Sequence, residues 1–263
     1  MDLGLKEKSV VVTGGASNIG RAIVHAFAEE GAKVVIADID TDQGRRVADE
    51  ARELGAAQAE VIACDVTQLD SVKSMFKQTL ENFGALDVLV NNVGWDRLMY
   101  FTDTTPELWQ QIIQINFVGV LNCTHTALET MVAQGYGSIV SLSSDASRQG
   151  EPREAVYGAM KAGVSNFMKT IARENGRYGI RCNVVCPGVT IPEEDQRGAN
   201  SMWAKRDVSF TDEQVPKIAQ ALPLKKMGTP EDVANAVAFL ASARAGHITG
   251  QVLSVSGGYS IVG

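Results

Sequence analysis

SVVVTGGASNIG, the stretch at residues 9–20, carries the strongest structural signal in this chain. It joins a short run of β-branched residues to a glycine-rich turn. Residues 21–30 follow with apolar side chains at helical spacing, and Gly31 ends that periodicity. Residues 33–38 form a second compact apolar run. The order of these segments predicts a strand, a turn, a helix and a second strand.

The same alternation continues along the chain. The predicted strands are continuously apolar, which is typical of a parallel sheet covered by helices on both faces. We therefore expect an α/β fold, a single-domain doubly wound parallel sheet of the Rossmann type. Further strands are predicted at residues 59–63, 86–90, 138–142, 180–185 and 251–255. Further helices are predicted at residues 41–54, 70–83, 106–133 and 155–178, and one that Thr229 caps with Pro230 at its first position.

Composition and charge narrow the classes of partner. The chain has 263 residues with 24 basic and 31 acidic side chains, a formal net charge of −7, which argues against a nucleic-acid-binding protein. No apolar run has the length of a membrane span and no segment resembles a signal peptide, so we expect a cytoplasmic protein. The four cysteines include no CxxC pair and the three histidines are scattered. We therefore expect buried free thiols in a reducing compartment and no metal site.

Residues 188–223 depart from the strand–helix alternation. They contain three prolines, an acidic trio at residues 193–195, and Met202 beside Trp203. A long connection in a compact domain is often functional, and this one follows the carboxyl end of a strand, where ligands bind in such sheets. We expect a substrate lid at about residues 188–223. A variable surface loop is the alternative.

The glycine-rich turn and Asp38 together predict a dinucleotide site. Glycines between a strand and a helix let the backbone approach a pyrophosphate at the helix N-terminus. Asp38 ends the second strand, 18 residues beyond Gly20, where a carboxylate accepts hydrogen bonds from ribose hydroxyls and repels a 2′-phosphate. This favours NAD as the cofactor over NADP. Asp65, after the third strand, is a candidate acceptor for an adenine amino group, and Asn91 and Asn92 follow the fourth strand at the same edge.

Tyr157 and Lys161 form an i, i+4 pair on a predicted helix, so their side chains share one face. A nearby ammonium lowers the pKa of a phenol and makes it usable as a general acid or base. Ser143 and Ser144, at the end of the preceding strand, could hold a substrate oxygen beside this phenol. Tyr-x-x-x-Lys alone is a weak signal, and the serines strengthen it.

These residues together resemble the short-chain dehydrogenase/reductase family over essentially the whole chain. The motifs that carry the resemblance are Thr13-Gly14 to Gly20, Asn91 to Gly94, Asn116, Ser144, Tyr157-x-x-x-Lys161 and Pro187-Gly188. The resemblance implies that Tyr157 takes the alcohol proton, Ser144 orients the substrate oxygen, and Lys161 lowers the pKa of Tyr157 and binds the nicotinamide ribose. It implies that Asn116 stabilises a helix distortion and a water relay to Lys161, and that the protein is a homotetramer. The cofactor-binding residues implied by the turn and the motifs are Gly14, Ser17, Asn18, Ile19, Gly20, Asp38, Asp65, Val66, Asn92, Gly94, Tyr157, Lys161, Pro187, Gly188 and Thr190.

The chain departs from the family pattern at three places. Near the C-terminus, Ser256-Gly257-Gly258 stands where Asp-Gly-Gly is usual, and the other two departures concern the cofactor site. Asn18 stands where the turn usually has its second glycine, and asparagine is the residue that best tolerates the left-handed region in its place. The turn is therefore expected to survive. Pro192 stands where a threonine usually binds the carboxamide, and Thr190 lies two residues earlier. The group that binds the carboxamide is left open.

Several variants are similar to those of the 2-hydroxycyclohexanecarboxyl-CoA dehydrogenases, among them NNVGWD at residues 91–96 and LSVSGG at residues 253–258. The resemblance favours a cyclic or CoA-linked 2-hydroxyacyl substrate. A free cyclic or steroid-like alcohol is one alternative, and a non-catalytic dinucleotide-binding subunit or sensor is another. Predicted substrate-binding residues are Trp95, Ser144, Asp145, Arg148, Met202 and Trp203. Candidate contacts for CoA phosphates are Arg97, Arg148, Arg153, Lys205 and Arg206, which could equally be solvated loop cations.

Overall fold

Seven parallel strands form one sheet in a computed structural model that describes residues 2–191 and 214–261. The strand order is β3-β2-β1-β4-β5-β6-β7, with helices on both faces. This confirms the predicted single-domain doubly wound α/β fold. The strands are β1 (Ser9–Thr13), β2 (Lys33–Asp38), β3 (Gln58–Ala63), β4 (Val88–Asn91), β5 (Gly137–Leu142), β6 (Ile180–Pro187) and β7 (Val252–Val255).

The helices agree with the predicted ones except at three places, one of which is the short helix at Ala146–Gln149, which was not predicted. The helix predicted at residues 106–133 is divided by a π-helical turn at Gln114–Val118, and a helix lies within the stretch that was predicted to be irregular. The described helices are α1 (Asn18–Glu29), α2 (Thr41–Glu53), α3 (Leu69–Phe83), α4 (Pro106–Ile113), α5 (Gly119–Gln134), α6 (Ala146–Gln149), α7 (Ala155–Asn175), α8 (Gln214–Ala221) and α9 (Pro230–Ala241).

The core lies in two layers, one on each face of the sheet. Successive residues of β1 point to opposite layers, so Val10 and Val12 lie in one and Val11 in the other. All three are fully buried, which explains why the strand is apolar without interruption. In the first layer, Phe27 of α1 packs in the same cluster as Val237 of α9, so the first helix of the chain lies against a helix some two hundred residues later.

Helix α9 begins as predicted. The Thr229 hydroxyl accepts a hydrogen bond from the Asp232 backbone N–H at 3.3 Å, and the Asp232 carboxylate accepts one from the Thr229 N–H at 3.1 Å. This capping box, with Pro230 at the first position, satisfies donors that the first helical turn leaves free.

The four cysteines are buried free thiols, as predicted. Burial raises the pKa of each thiol above its usual value, to about 11 for Cys64 and about 12 for Cys182. Across residues 2–191 and 214–261, no cluster of histidine, cysteine and acidic side chains could hold a metal ion. None of the helices in that part of the chain combines the length and the apolar character that crossing a membrane requires.

The sheet order reverses between β1 and β4. The chain leaves β1 toward α1 on one face and leaves β4 toward α4 and α5 on the other. The loops after these two strands therefore diverge, and a crevice opens at the carboxyl edge of the sheet.

Candidate active site

One cavity of about 840 Å³ occupies this crevice. The glycine-rich turn and Asp38 line one part of it, and Ser144, Tyr157 and Lys161 line another. Nearly all of the predicted site residues in the described part of the chain line it. They are Gly14, Ser17, Asn18, Ile19, Gly20, Asp38, Asp65, Val66, Asn92, Gly94, Trp95, Ser144, Asp145, Tyr157, Lys161, Pro187, Gly188 and Thr190.

The glycine-rich turn forms a close backbone cradle at the start of α1. A Cβ atom on Gly20 would lie 1.9 Å from the Gly14 carbonyl oxygen, so this position accepts only glycine. Asn18 has φ +51°, the left-handed conformation expected of the residue that replaces a glycine. Its Oδ1 atom is buried without a hydrogen-bond partner, and no side chain caps the helix N-terminus. The backbone N–H groups and the helix dipole favour an anion such as a pyrophosphate here.

Asp38 is tied to this turn. One carboxylate oxygen accepts a hydrogen bond from the Ala16 N–H at 3.0 Å, and the other accepts one from the Asp40 N–H at 3.0 Å. Partial burial raises the pKa of this carboxyl group above its ordinary value, and the two backbone bonds oppose that shift. The carboxylate thus lies at a fixed position beside the cradle. An anion cradle next to an oriented carboxylate fits a dinucleotide with a free ribose diol.

Asn92 and Asp65 support the cavity wall through local hydrogen bonds. The Asn92 amide donates to the carbonyl oxygens of Thr13 at 3.1 Å and Gly14 at 3.0 Å, which ties the loop after β4 to the turn after β1. Asp65 accepts hydrogen bonds from the backbone and side chain of Thr67. The structural contribution of Asn92 is therefore to hold the cradle in place.

Tyr157, Ser144 and Lys161 come together as the spacing predicted. The Ser144 hydroxyl lowers the pKa of the Tyr157 hydroxyl, against the larger effect of burial. The Lys161 ammonium lies 5.6 Å from the centre of the Tyr157 ring and donates to the Leu142 carbonyl oxygen at 3.0 Å. Ser143 donates to the Lys161 carbonyl oxygen at 2.8 Å, which fastens α7 to the end of β5.

Burial dominates the pKa values of Tyr157 and Lys161. Burial raises the pKa of the phenol above its usual value, and the negative charges of Glu154 and Asp96 raise it further. Burial also lowers the pKa of Lys161 to about 8, because the ammonium is 2% exposed and has lost most of its hydration. Tyr157 therefore holds its proton at neutral pH, and the lowering of its pKa by Lys161 stays a prediction.

Asn116 lies in the π-helical turn and is fully buried. Its amide donates to the carbonyl oxygens of Trp95 at 2.7 Å and Ile112 at 2.9 Å, and its Oδ1 accepts from the Trp95 N–H at 3.1 Å. The helix distortion that the resemblance implied at Asn116 is therefore present. Asn116 is not among the residues that line the cavity. Although it was predicted to be catalytic, its contacts make it a positioning residue for the loop that carries Trp95.

Two of the predicted substrate-binding residues, Arg148 and Asp145, have side chains that are hydrogen bonded to β7. The Arg148 guanidinium donates to the Val252 carbonyl oxygen at 2.9 Å, and Arg148 is not among the described residues that line the cavity, so its role in substrate binding stays a prediction. Asp145 is 1% exposed and accepts from the Ser254 hydroxyl at 2.6 Å, which directs one of its oxygens to β7. Trp95 lines the cavity as expected. Pro192, Met202, Trp203, Lys205, Arg206 and the acidic trio lie outside the described residues.

Several acidic residues of the cavity wall were missed. Asp96 and Glu154 line the cavity near Tyr157, and so does Glu151, whose carboxylate accepts a hydrogen bond from the Tyr259 hydroxyl. Glu154 lies three residues before Tyr157, so its position one helical turn away was a usable signal. Asp96 gave no such signal, because its approach to Tyr157 depends on how the loop after β4 folds.

Comparison with known proteins places the site in context. Residues 14–260 match the family model described as enoyl-(acyl carrier protein) reductase. The 3-oxoacyl-(acyl-carrier-protein) reductase FabG of Staphylococcus aureus strain N315 is 36% identical over 251 residues, which are 95% of this chain and 97% of that protein. The acetoacetyl-CoA reductase of Synechocystis sp. is 35% identical over 260 residues, 98% of this chain and 99% of that protein. The crystal structure of a short-chain type dehydrogenase/reductase from Mycobacterium marinum has a TM-score of 0.88 at 30% identity and covers 99% of this chain and 98% of that one.

Proposed function

The chain belongs to the short-chain dehydrogenase/reductase family, and from this premise we propose that it is an NAD-dependent enzyme that interconverts a secondary alcohol and a ketone. One observation carries the proposal. A single cavity is lined by the anion cradle with Asp38 and also by Ser144, Tyr157 and Lys161. The nicotinamide group, when bound, supplies or accepts the hydride.

The residues of the chain supply position and the proton. Ser144 holds the substrate oxygen beside the Tyr157 hydroxyl. In the reductive direction Tyr157 gives its proton to the carbonyl oxygen, and in the oxidative direction it takes the proton from the carbinol. Lys161 places a positive charge next to the phenol, which stabilises the phenolate left after the proton has moved.

Asp38 supports the choice of NAD. Its oriented carboxylate suits a free ribose diol and repels a 2′-phosphate. The basic side chains among the described cavity-lining residues are Lys161, beside Tyr157, and Arg153, which donates to the Leu98 carbonyl oxygen. Asp40 adds a further acidic side chain to the wall that holds Asp38.

For the substrate, we propose a CoA-linked hydroxyacyl compound such as 2-hydroxycyclohexanecarboxyl-CoA. Its hydroxyl is on the carbon β to the thioester carbonyl. The same relation between ketone and thioester is written in the names of the 3-oxoacyl and acetoacetyl-CoA reductases that resemble this chain. The motifs at residues 91–96 and 253–258 support the cyclic acyl group.

A free cyclic or steroid-like alcohol is the second candidate, and one observation favours it. Among the described lining residues acidic side chains outnumber basic ones, and Arg148 is turned to β7 instead of the cavity. An acidic wall does not attract CoA phosphates. The acidic side chains are Asp38, Asp40, Asp65, Asp96, Asp145, Glu151 and Glu154.

We also propose a substrate lid at about residues 188–223, of which the structure describes 188–191 and 214–223. Thr190 is 6% exposed and lines the cavity, so it is the proposed partner of the nicotinamide carboxamide. The working form is proposed to be a homotetramer in the cytoplasm.

The test is NADH formation by the purified protein. The substrates are 2-hydroxycyclohexanecarboxyl-CoA and cyclohexanol, each offered with NAD and with NADP. A higher kcat/KM on the thioester with NAD supports the first candidate, and preference for cyclohexanol supports the second. Equal activity of Tyr157→Phe and the wild type, or cofactor binding without turnover of any alcohol, would favour a non-catalytic dinucleotide-binding subunit or sensor.

A further inference from the structure

Tyr259 and Glu151 line the cavity and take no part in the reaction proposed above. The Tyr259 hydroxyl donates a hydrogen bond to the Glu151 carboxylate, which joins positions 108 residues apart in the chain. Burial and the neighbouring carboxylate raise the pKa of Tyr259 to about 12, so this hydroxyl keeps its proton at neutral pH. The contact connects the segment after β7 to the loop between α6 and α7.

Glu151 lies one turn before the helix that carries Tyr157. The Glu154 N–H donates to the Glu151 carbonyl oxygen at 3.2 Å, and the Gly158 N–H donates to the Glu154 carbonyl oxygen at 2.7 Å. These two bonds lead the backbone from Glu151 into the first turn of α7, where Tyr157 lies. Glu151 and Tyr157 therefore line neighbouring parts of the cavity wall.

The segment that leads to Tyr259 begins beside residues assigned above to the cofactor. The Gly188 N–H donates to the Val255 carbonyl oxygen at 3.1 Å, and a Cβ atom on Gly188 would lie 2.7 Å from the Ser256 Cβ. Thr190, two residues beyond Gly188, lines the same cavity and is the proposed partner of the nicotinamide carboxamide. The segment after β7 is therefore next to the nicotinamide end of the cavity.

A tight turn sets the position of Tyr259. Gly257 and Gly258 have φ +64° and +90°, a conformation that glycine adopts without a steric penalty. Across this turn the Tyr259 N–H donates to the Ser256 carbonyl oxygen at 3.1 Å. Ser260 is 7% exposed, so the chain is anchored on both sides of Tyr259. The Tyr259 side chain therefore leaves the backbone at a defined place.

The same turn packs against the chain that follows α8. The Leu224 N–H donates to the Gly257 carbonyl oxygen at 3.1 Å. A Cβ atom on Gly258 would lie 2.7 Å from the Pro223 Cγ, so a larger residue does not fit there without a shift. Through Tyr259, the turn thus links the described end of the proposed lid to the loop that carries Glu151.

Tyr259 lies at the rim of the cavity. It lines the cavity, yet 37% of the residue is exposed to solvent. The ring offers a flat apolar surface, and the hydrogen bond to Glu151 restrains its orientation. Because the cavity of about 840 Å³ must hold the dinucleotide as well as the substrate, a ring at this rim restricts the size of the substrate.

We propose that Tyr259, held by Glu151, forms the outer wall of the substrate end of the cavity and selects single-ring alcohols over bicyclic or steroid-like ones. A substrate too large for a packed wall must displace side chains from their preferred positions, which costs free energy. A bicyclic alcohol would have to break the hydrogen bond between Tyr259 and Glu151, whereas a single-ring alcohol would not. This inference rests on the proposed alcohol dehydrogenase activity, because it concerns the substrate of Tyr157.

The experiment compares kcat/KM with NAD for cyclohexanol and for the bicyclic alcohol decahydro-2-naphthol. The proteins are the wild type, Tyr259→Ala, Tyr259→Trp, and Tyr136→Ala, a control that truncates an exposed tyrosine just before β5. We expect the wild type to prefer cyclohexanol by at least about tenfold. Tyr259→Ala should reduce this preference by about tenfold because the wall is opened, whereas Tyr259→Trp should increase it. Tyr136→Ala should keep it.

Opposite changes from two substitutions at one position distinguish a wall from general damage to the fold. Glu151→Ala and Tyr259→Phe both remove the hydrogen bond, so each should reduce the preference by about threefold, and the double variant should reduce it no further. Additive effects of these two substitutions would overturn the role of Glu151. An unchanged preference in both Tyr259→Ala and Tyr259→Trp would overturn the wall.

Binding measurements separate a failure of this inference from a failure of the proposed function. Dissociation constants of the two alcohols, measured by calorimetry with NADH present, require no turnover. If neither alcohol is oxidised, the proposed function fails, yet tighter binding of cyclohexanol than of the bicyclic alcohol to the wild type, lost in Tyr259→Ala, still supports the wall. The same ratio of affinities in both proteins, or no binding to either, overturns it.

Discussion

At the scale of single residues, the buried ammonium of Lys161 serves the site and destabilises the folded protein. Burial lowers its pKa from 10.5 to about 8, so between these pH values the unfolded chain binds more protons than the folded one. Stability contributed by this group therefore increases as pH rises from about 8 to 10.5, and below pH 8 the buried ammonium destabilises the fold.

Replacement of Lys161 by methionine should expose this cost. We expect Lys161→Met to raise the free energy of unfolding of the cofactor-free protein by about 2 kcal/mol at pH 7, with the gain vanishing near pH 10.5, while activity is lost. Urea unfolding at pH 7 and pH 10.5 measures both values. Lys169→Met, an exposed lysine of the same helix, is the control and should change stability by less than about 0.5 kcal/mol. A loss of stability in Lys161→Met at pH 7 would contradict the expected sign.

Asp38 should set the cofactor preference. Removing its carboxylate takes away the acceptor for the ribose hydroxyls and the repulsion of a 2′-phosphate. We expect Asp38→Ala to lower the ratio of kcat/KM with NAD to kcat/KM with NADP by at least about tenfold, which is about 1.4 kcal/mol of discrimination. Asp42→Ala, an exposed carboxylate on α2, should leave the ratio unchanged. If Asp38→Ala also leaves it unchanged, the assignment of NAD by Asp38 is wrong.

The site residues that could be predicted are those whose positions in the fold follow from the local sequence. The glycine-rich turn, Asp38 and the Tyr157–Lys161 pair each depend on one strand end or one helical spacing, and the structure brings them to one cavity. The sign of the Tyr157 pKa shift was not predictable in this way. It depends on burial and on Asp96, whose loop is placed by contacts with the start of α7.

At the scale of elements, the π-helical turn between α4 and α5 holds the loop that carries Trp95. Asn116 makes three hydrogen bonds there, two to the Trp95 backbone and one to Ile112. We expect Asn116→Ala to lower the free energy of unfolding by about 2 to 4 kcal/mol, because buried backbone groups lose their partners. We also expect kcat to fall, since Trp95 lies in the cavity wall.

Asn122→Ala is a matched control for this prediction. Asn122 lies in α5, and its side-chain amide donates one hydrogen bond, to the Val66 carbonyl oxygen at 2.9 Å. Chemical denaturation and steady-state kinetics of both variants give the comparison. If Asn116→Ala is as stable as Asn122→Ala and keeps its kcat, the π-helical turn does not position the cavity wall.

The ends of helices were predictable where a capping residue, a proline or a glycine stands at the boundary. Thr229 with Pro230 marked the start of α9, and Gly84 ends α3 in the left-handed conformation. The π-helical turn could not be derived from periodicity, since the apolar spacing of residues 106–133 continues through it. Helix α8 was missed because Pro216 and Pro223, within and just after it, indicate an irregular stretch.

At the scale of the whole molecule, the two halves of the sheet share one core. Strand β1 pairs with β4 across the reversal of strand order, and α1 packs against α9. We expect one cooperative unfolding transition, in which the buried thiols of Cys64, directly after β3, and Cys182, in β6, become reactive together as denaturant is added.

Phe27→Ala tests this coupling. Phe27 is fully buried between α1 and the sheet, so its truncation should cost about 3 to 5 kcal/mol and shift both signals equally. Leu54→Ala, a half-exposed residue at the end of α2, serves as the control. Separation of the two transitions would show that the halves unfold independently.

The pairing of α1 with α9 also has a consequence during synthesis. The apolar face of α1, with Ile23, Val24 and Phe27, leaves the ribosome long before the residues of α9 that cover it. Until α9 has been synthesised, this apolar face of the nascent chain is exposed to solvent. Chaperones bind exposed apolar surface of this kind, and it also promotes aggregation. A ribosome that stalls before residue 230 would therefore carry an aggregation-prone partial chain. Slow translation in that region should lower the yield of native enzyme.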